Sequence, residues 1–199
     1  MNLVHLTPGT GGMYCGNCFR DNTLVAELRR RGHQALMVPL YLPLQLDEPD
    51  QSAGTPVFFG GINVYLAQKV PFYRAAPRWL RQAFSAPGLL ARAAGRTAKT
   101  RAEEVGAILI SMLHGPQGRQ ARELEDLVAW LQTQPRPDAV CLSNALLLGM
   151  AESIRTRLGT RVVCFLQGED SYLDDLPDAH REPAWTLLRG KARDADLFL

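Results

Sequence analysis

The stretch GTGGMYCGNCFRDN, Gly9 to Asn22, decides how this chain is read. A short apolar run, Asn2 to Leu6, leads into it, and the helical pattern Leu24, Val25 and Leu28 leads out of it. Gly32 then closes that helix as a left-handed cap. The order is strand, glycine turn, helix. Gly9, Gly11 and Gly12 let the backbone turn sharply and let a ligand approach without a Cβ in the way. The helix behind the turn points free N–H groups and a partial positive charge at it. Such a turn suits a phosphate or another anion, and the same residues also make a plain strand-to-helix connection.

Two better-known phosphate loops do not fit. A dinucleotide fingerprint begun at Gly9 needs glycine where Tyr14 stands, and a P-loop begun at Gly11 needs Lys-Ser/Thr where Asn17 and Cys18 stand. With 199 residues, 46% of them apolar and 21% charged, the chain has a globular composition and suits one lobe or one large domain. A net charge of +2 points to no particular partner, and four cysteines do not suggest a secreted disulfide framework. The N-terminus MNLVHLTPG lacks a basic lead and a long apolar run, and Val105 to Leu113 is far too short for a membrane span, so a cytoplasmic protein is expected.

Along the chain, Ala35 to Leu40 reads as a second strand and Tyr41 to Pro56 as a loop. Val57 to Phe59 and Ile62 to Leu66 flank Gly60-Gly61 as a hairpin. From Gln51 to Ala102 there is no Asp or Glu but eight Lys or Arg, from Lys69 to Arg101, with Phe72, Tyr73, Trp79 and Phe84 interleaved. Thr100 and Glu103 form a capping box that opens a helix with the stripe Val105, Ile108, Leu109 and Met112, ended by Gly115-Pro116. A second helix carries Leu124, Leu127, Val128 and Leu131 and stops at Pro135. Ala139 to Leu142 is a strand. Ser143 and Asn144 start a helix with Leu147, Met150, Ile154 and Leu158, which Gly159 caps. Arg161 to Leu166 is a strand, Gln167 to Asp178 a polar loop, and a helix with Trp185 and Leu188 precedes a last strand from Ala195. Alternating strands and helices with short connections predict an α/β fold with a doubly wound, mostly parallel, Rossmann-like sheet and a hairpin/helical insertion at about 41–102.

Ligands of open parallel sheets bind beyond the carboxyl ends of the strands. Thr7 to Gly12, Ser143-Asn144 and Gln167-Gly168-Glu169-Asp170 follow the first, fourth and fifth predicted strands. These polar loops are the candidate site; Ser143 or Asn144 equally serves as a helix cap, and Glu169 and Asp170 as solvated loop acids.

The GTGG turn, LRRRGHQ at Leu28 to Gln34, PDAVCLSNALLLG at Pro137 to Gly149 and VVCFLQGED at Val162 to Asp170 together resemble the N-terminal lobe of family 4 glycosyltransferases, retaining enzymes of two-lobed GT-B architecture. The resemblance spans nearly the whole chain and is weakest from Tyr41 to Ala102. It implies a single lobe over 1–199 that binds a saccharide or lipid-linked acceptor, while a second lobe grips the nucleotide-sugar. It places Gly11 and Gly12 against the donor diphosphate. Gln167, Gly168, Glu169 and Asp170 fall at the reacting sugar, with Tyr14, Asn22, Ser143 and Asn144 along the acceptor cleft. Many members carry a histidine where Gln167 stands, and Tyr14 and Cys15 replace more usual polar residues. The resemblance implies no cofactor beyond the nucleotide-sugar co-substrate, no metal and no nucleic acid. Because the sequence stops in a predicted strand, a continuation past Leu199 into the second lobe is expected, and the 199 residues alone are expected to transfer no sugar.

Two readings of another class stay open. Cys15-Gly16-Asn17-Cys18 at a helix start resembles the redox pair of thioredoxin-type oxidoreductases, although the glycine-rich lead-in and the continuing βα repeat favour structural cysteines; a zinc site would need two further ligands. A non-catalytic binding module is the other. Cys141 and Cys164, singly on strands, read as buried apolar residues, His5 and His33 as structural, and His114 as a complement to a helix end. The basic aromatic segment reads as a solvated face, or as a site for an anionic acceptor or for an anionic membrane surface at the inner face of the membrane.

Overall fold

The computed structural model describes residues 1–9, 15–44, 46–60, 63, 66, 77 and 102–199, with backbone alone for 102–104. Strands β1 (Asn2–Thr7), β2 (Gln34–Pro39), β3 (Ala139–Leu142), β4 (Arg161–Cys164) and β5 (Leu197–Phe198) form one parallel sheet in the order β2-β1-β3-β4-β5. The helices among the described residues are α1 (Gly16–Arg30), α2 (Ala102–Leu113), α3 (Ala121–Gln132), α4 (Ala151–Leu158), α5 (Glu169–Asp174) and α6 (Asp178–Lys191). This is the expected Rossmann-like, doubly wound α/β fold. Burial along β1 fits it: Val4 and Leu6 on one face and His5 and Thr7 on the other are all buried, as in strands covered on both faces. By its internal packing the chain divides into two compact units, Met1–Val4 with Thr100–Leu199, and His5–Lys99.

In the unit His5–Lys99, α1 packs on β2 through Val25, Ala35 and Met37, with Leu28 and Leu44 against them. The left-handed stop at Gly32 is formed: its φ is +86°, its N–H donates to Arg29 O, and the His33 N–H donates to Leu28 O, both at 3.0 Å. That pair of bonds satisfies carbonyls the helix end leaves open. The loop 41–56 is a loop throughout its described residues.

The hairpin expected at Gly60-Gly61 is not formed: Val57 to Phe59 carry no strand, and Asn63 and Leu66 are helical. The reason is local. The Phe59 N–H donates to Leu40 O at 2.8 Å, and its buried ring meets Tyr41 edge-on at 6.2 Å between centroids. Contact with the end of β2 outweighs the Gly-Gly turn signal. Gly61, Ile62, Thr100 of the capping box, and the basic segment 69–101 apart from Pro77 lie outside the described residues.

In the other unit, β3 and β4 pair in step, Ala139 with Arg161 through Leu142 with Cys164, and β4 pairs with β5 at Val163–Leu197 and Cys164–Phe198. Helix α3 buries the expected stripe Leu124, Leu127, Val128 and Leu131. Helix α2 buries Leu109 and Met112 but leaves Val105 and Ile108 half-exposed, and it adds Leu113 and Ser111 to its buried side. It packs on α6, where Gly106 lets the His180 ring come so close that a Cβ would stand 2.6 Å from it. The helix expected from Ser143 begins as a 3-10 turn, Ala145–Met150, before α4. There Gly149 lies against the end of α2, and a Cβ on it would fall 2.1 Å from Met112 O. Gly159 ends α4 in the left-handed region as predicted. Strand β4 stops at Cys164, short of Leu166. The polar loop expected at Gln167–Asp178 holds α5. Its acids Glu169 and Asp170 sit in the first turn, where they complement the helix dipole, and Leu173 is buried beneath it. Among the described residues no helix is long and apolar enough to cross a membrane.

Candidate functional site

The carboxyl ends of β3 and β4 lie side by side, and their loops are tied into one polar arrangement. The Gln167 side-chain amide donates to Ser143 O at 2.5 Å. Glu169 spans both loops: Oε1 accepts from the Ala145 N–H and Oε2 from the Gln167 N–H, each at 2.7 Å. Asn144 is the cap of the 3-10 turn, its Oδ1 accepting from the Leu146 N–H at 3.1 Å. Gly168, at φ +74°, makes the sharp entry into α5. Ser143 and Asn144 are buried, Gln167 and Glu169 half-buried, and Gly168 and Asp170 exposed. Residues singled out in two separate stretches of sequence therefore form a single rigid edge. Each bond satisfies a main-chain group that a loop would otherwise leave to water. With both carboxylate oxygens accepting main-chain N–H groups, Glu169 positions the edge, and Asp170 is its exposed acid.

The second cluster surrounds the start of α1. His5 and Thr7 alternate onto one face of β1 and meet Asp21 on α1. The Thr7 hydroxyl donates to Asp21 Oδ2 at 2.8 Å, His5 Nε2 lies 3.1 Å from Oδ1, and Arg20 reaches Oδ1 through Nε at 3.1 Å and a terminal nitrogen at 2.6 Å. Asp21 is fully buried, so this is a charge taken out of water and compensated on several sides. Next to it, Asn22 holds the loop 41–56: its Nδ2 donates to Pro49 O at 3.2 Å and its Oδ1 accepts from the Gln51 N–H at 2.8 Å. The Asn22 amide is thus committed to loop structure. Gly11, Gly12 and Tyr14 lie outside the described residues.

Cys15 is the N-cap residue of α1, extended at φ −132°, and its carbonyl accepts from the Phe19 N–H at 3.1 Å. Its thiol pKa is lowered to about 6. The hydrogen bond from the Cys18 thiol is the largest cause, helped by the main-chain N–H groups of Cys18 and Asn17; burial and the charge of Asp21 work against it. Cys164 is the opposite case, its thiol pushed up to about 12 by burial and by the charge of Glu169. Cys164 is thus a buried thiol kept protonated, and Cys15 a partly exposed one whose thiolate is favoured.

The sequence reading missed Asp21 and Arg20. A charged residue beside the pattern Leu24, Val25 and Leu28 reads as solvent-facing, yet α1 buries Cys18, Asp21, Asn22 and Val25. The available signal was the pair of polar residues His5 and Thr7 at period two on a strand otherwise apolar.

A hollow lined by Met1, Asp138, Arg161 and Asp196 lies at the amino ends of β3 and β4, the edge away from which parallel sheets bind ligands. Its acids serve the sheet: Asp138 accepts from the Asn2 N–H at 2.7 Å and Asp196 from the Val162 N–H at 2.8 Å. Comparison with models of known protein families, with curated proteins and with solved structures gives no match to this chain.

Proposed function

We propose that this chain is the acceptor-binding lobe of a retaining glycosyltransferase, which moves a sugar from a nucleotide-sugar to a saccharide or lipid-linked acceptor. The observation that carries the reading is the interlocked edge formed by Ser143, Asn144, Gln167 and Glu169 at the carboxyl ends of β3 and β4. It supplies preorganised polar groups where open parallel sheets take their ligands. The motif resemblance supplies the reaction.

In this reading Gln167, which cannot take up a proton, orients the sugar, and Asp170 meets an acceptor hydroxyl. Glu169 holds both loops in place. The turn through Gly11 and Gly12 takes the diphosphate. Negative charge grows there as the sugar departs, and N–H donors at the start of α1 stabilise it without a metal. A donor-gripping lobe completes a cleft that aligns the reactants and excludes water. The chain alone therefore transfers no sugar. The basic segment 69–101 gives the lobe a peripheral contact with an anionic membrane surface.

Calorimetric titration of the complete two-lobed enzyme with a nucleoside diphosphate tests the diphosphate turn. The wild type binds it, and a folded Gly12→Val variant binds about tenfold more weakly, a loss of about 1.4 kcal/mol, because the side chain blocks close approach of the backbone. Equal affinity of the two proteins would refute this part of the reading.

A further inference from the structure

We propose that Cys15 and Cys18 are a thiol–disulfide exchange site that takes an accessible disulfide as its substrate. The inference draws on the same start of α1 as the proposed diphosphate turn but rests on the cysteines and not on sugar transfer. It starts from geometry. Cys15 caps α1 and is partly exposed, while Cys18 lies one turn inside and is 2% exposed. Three residues along a helix separate Cα atoms by about 5 Å, inside the range of about 4.4–6.8 Å that a disulfide spans. Residues three apart at a helix start are side-chain neighbours, so Cys15 and Cys18 lie within reach of each other. The accessible sulfur is also the one whose pKa is lowered, by Cys18 first and by the main-chain N–H groups of the helix start after it, and a low-pKa, accessible thiol is how an attacking thiol is distinguished from a resolving one. A zinc site would need further ligands, and among the described residues no group of three His, Cys, Asp or Glu is placed to hold a metal ion.

The steps balance without another reagent. The Cys15 thiolate attacks one sulfur of the substrate disulfide, forming a mixed disulfide and releasing one substrate thiolate. Cys18 then attacks the Cys15 sulfur, the second substrate sulfur leaves, and it carries away the Cys18 proton. The protein pair is oxidised by two electrons and the substrate is reduced to two thiols. Asp21 opposes the Cys15 thiolate through its charge, and the Arg20 guanidinium lies against Asp21 and tempers that opposition.

Oxidised glutathione, followed by mass spectrometry of the alkylated chain, tests the proposal. In the wild type a Cys15–Cys18 cross-link forms and a reductant reverses it. Cys18→Ser, or Cys18→Ala if the serine variant does not fold, instead accumulates glutathione on Cys15, and Cys15→Ser does neither. Iodoacetamide at pH 6 gives a second readout. Half of Cys15 is thiolate there against about 0.3% of an ordinary thiol of pKa about 8.5. The weaker nucleophilicity of a low-pKa thiolate removes a factor of about 13. Cys15 should therefore alkylate about tenfold faster than a free thiol. Wild-type chain that keeps both thiols alkylatable, a stable glutathione adduct with no cross-link, or Cys15 alkylating at the free-thiol rate would each overturn the proposal.

Discussion

Gly9→Ala should lower the stability of the chain by about 3 kcal/mol, moving the urea midpoint down by about 1.5 M. Gly9 stands at the end of β1 with φ +71°, and a Cβ built there falls 1.9 Å from Leu42 O. Two costs add. An L-residue in that conformation loses about 1–2 kcal/mol, and forcing the Leu42 backbone aside costs about 1–3 kcal/mol more. The bonds at risk are those that extend β1 and β2 past their ends, Leu40 N–H to Thr7 O at 2.9 Å and Tyr41 N–H to Pro8 O at 2.7 Å. Gly16→Ala is the matched control. A Cβ on Gly16 would meet nothing within 4 Å, and alanine in the first helical turn should be neutral or gain about 0.5 kcal/mol. Equal urea midpoints for Gly9→Ala and the wild type would contradict the close approach of Gly9 to Leu42.

Asp21→Ala should cost about 1–3 kcal/mol, the range for leaving buried hydrogen-bonding groups unsatisfied. The carboxylate is fully buried and serves Thr7, His5 and Arg20 together. Its removal leaves a cavity and deprives the Arg20 guanidinium of its partner. Asp21→Asn keeps the shape and an acceptor, and should cost less. Both variants also remove a charge that raises the Cys15 pKa, so the Cys15 thiolate should titrate below its value of about 6. Thermal melts combined with pH-dependent alkylation check both effects. An Asp21→Asn protein with a higher Cys15 pKa would contradict the electrostatic account of this corner.

What the sequence made legible was local and periodic. Gly32 and Gly159 marked helix ends because only a left-handed residue satisfies the carbonyls there. Leu124, Leu127, Val128 and Leu131 marked a buried face because helical period sorts apolar from polar. Ser143, Asn144, Gln167 and Glu169 were found as candidates from their place after strands, but the bonds joining them depend on β3 and β4 pairing in step, which no local pattern encodes. Asp21 was hidden because burial of a carboxylate depends on partners brought by β1. The Gly60-Gly61 hairpin failed for a related reason: Phe59 found a non-local partner in Leu40. Helix α5 went unread since GEDSYLDD is rich in residues common to loops, and the anchoring contact of Leu173 is tertiary.

The most direct test of the acceptor-lobe account is an amide chemical-shift titration of the chain with saccharide acceptors. The account predicts shifts concentrated on the N–H groups of Ala145, Leu146 and Gln167, which the site residues hold, and predicts that Gln167→Ala in a folded chain abolishes them. Shifts confined to other surfaces, or none with any saccharide at millimolar concentration, would contradict it.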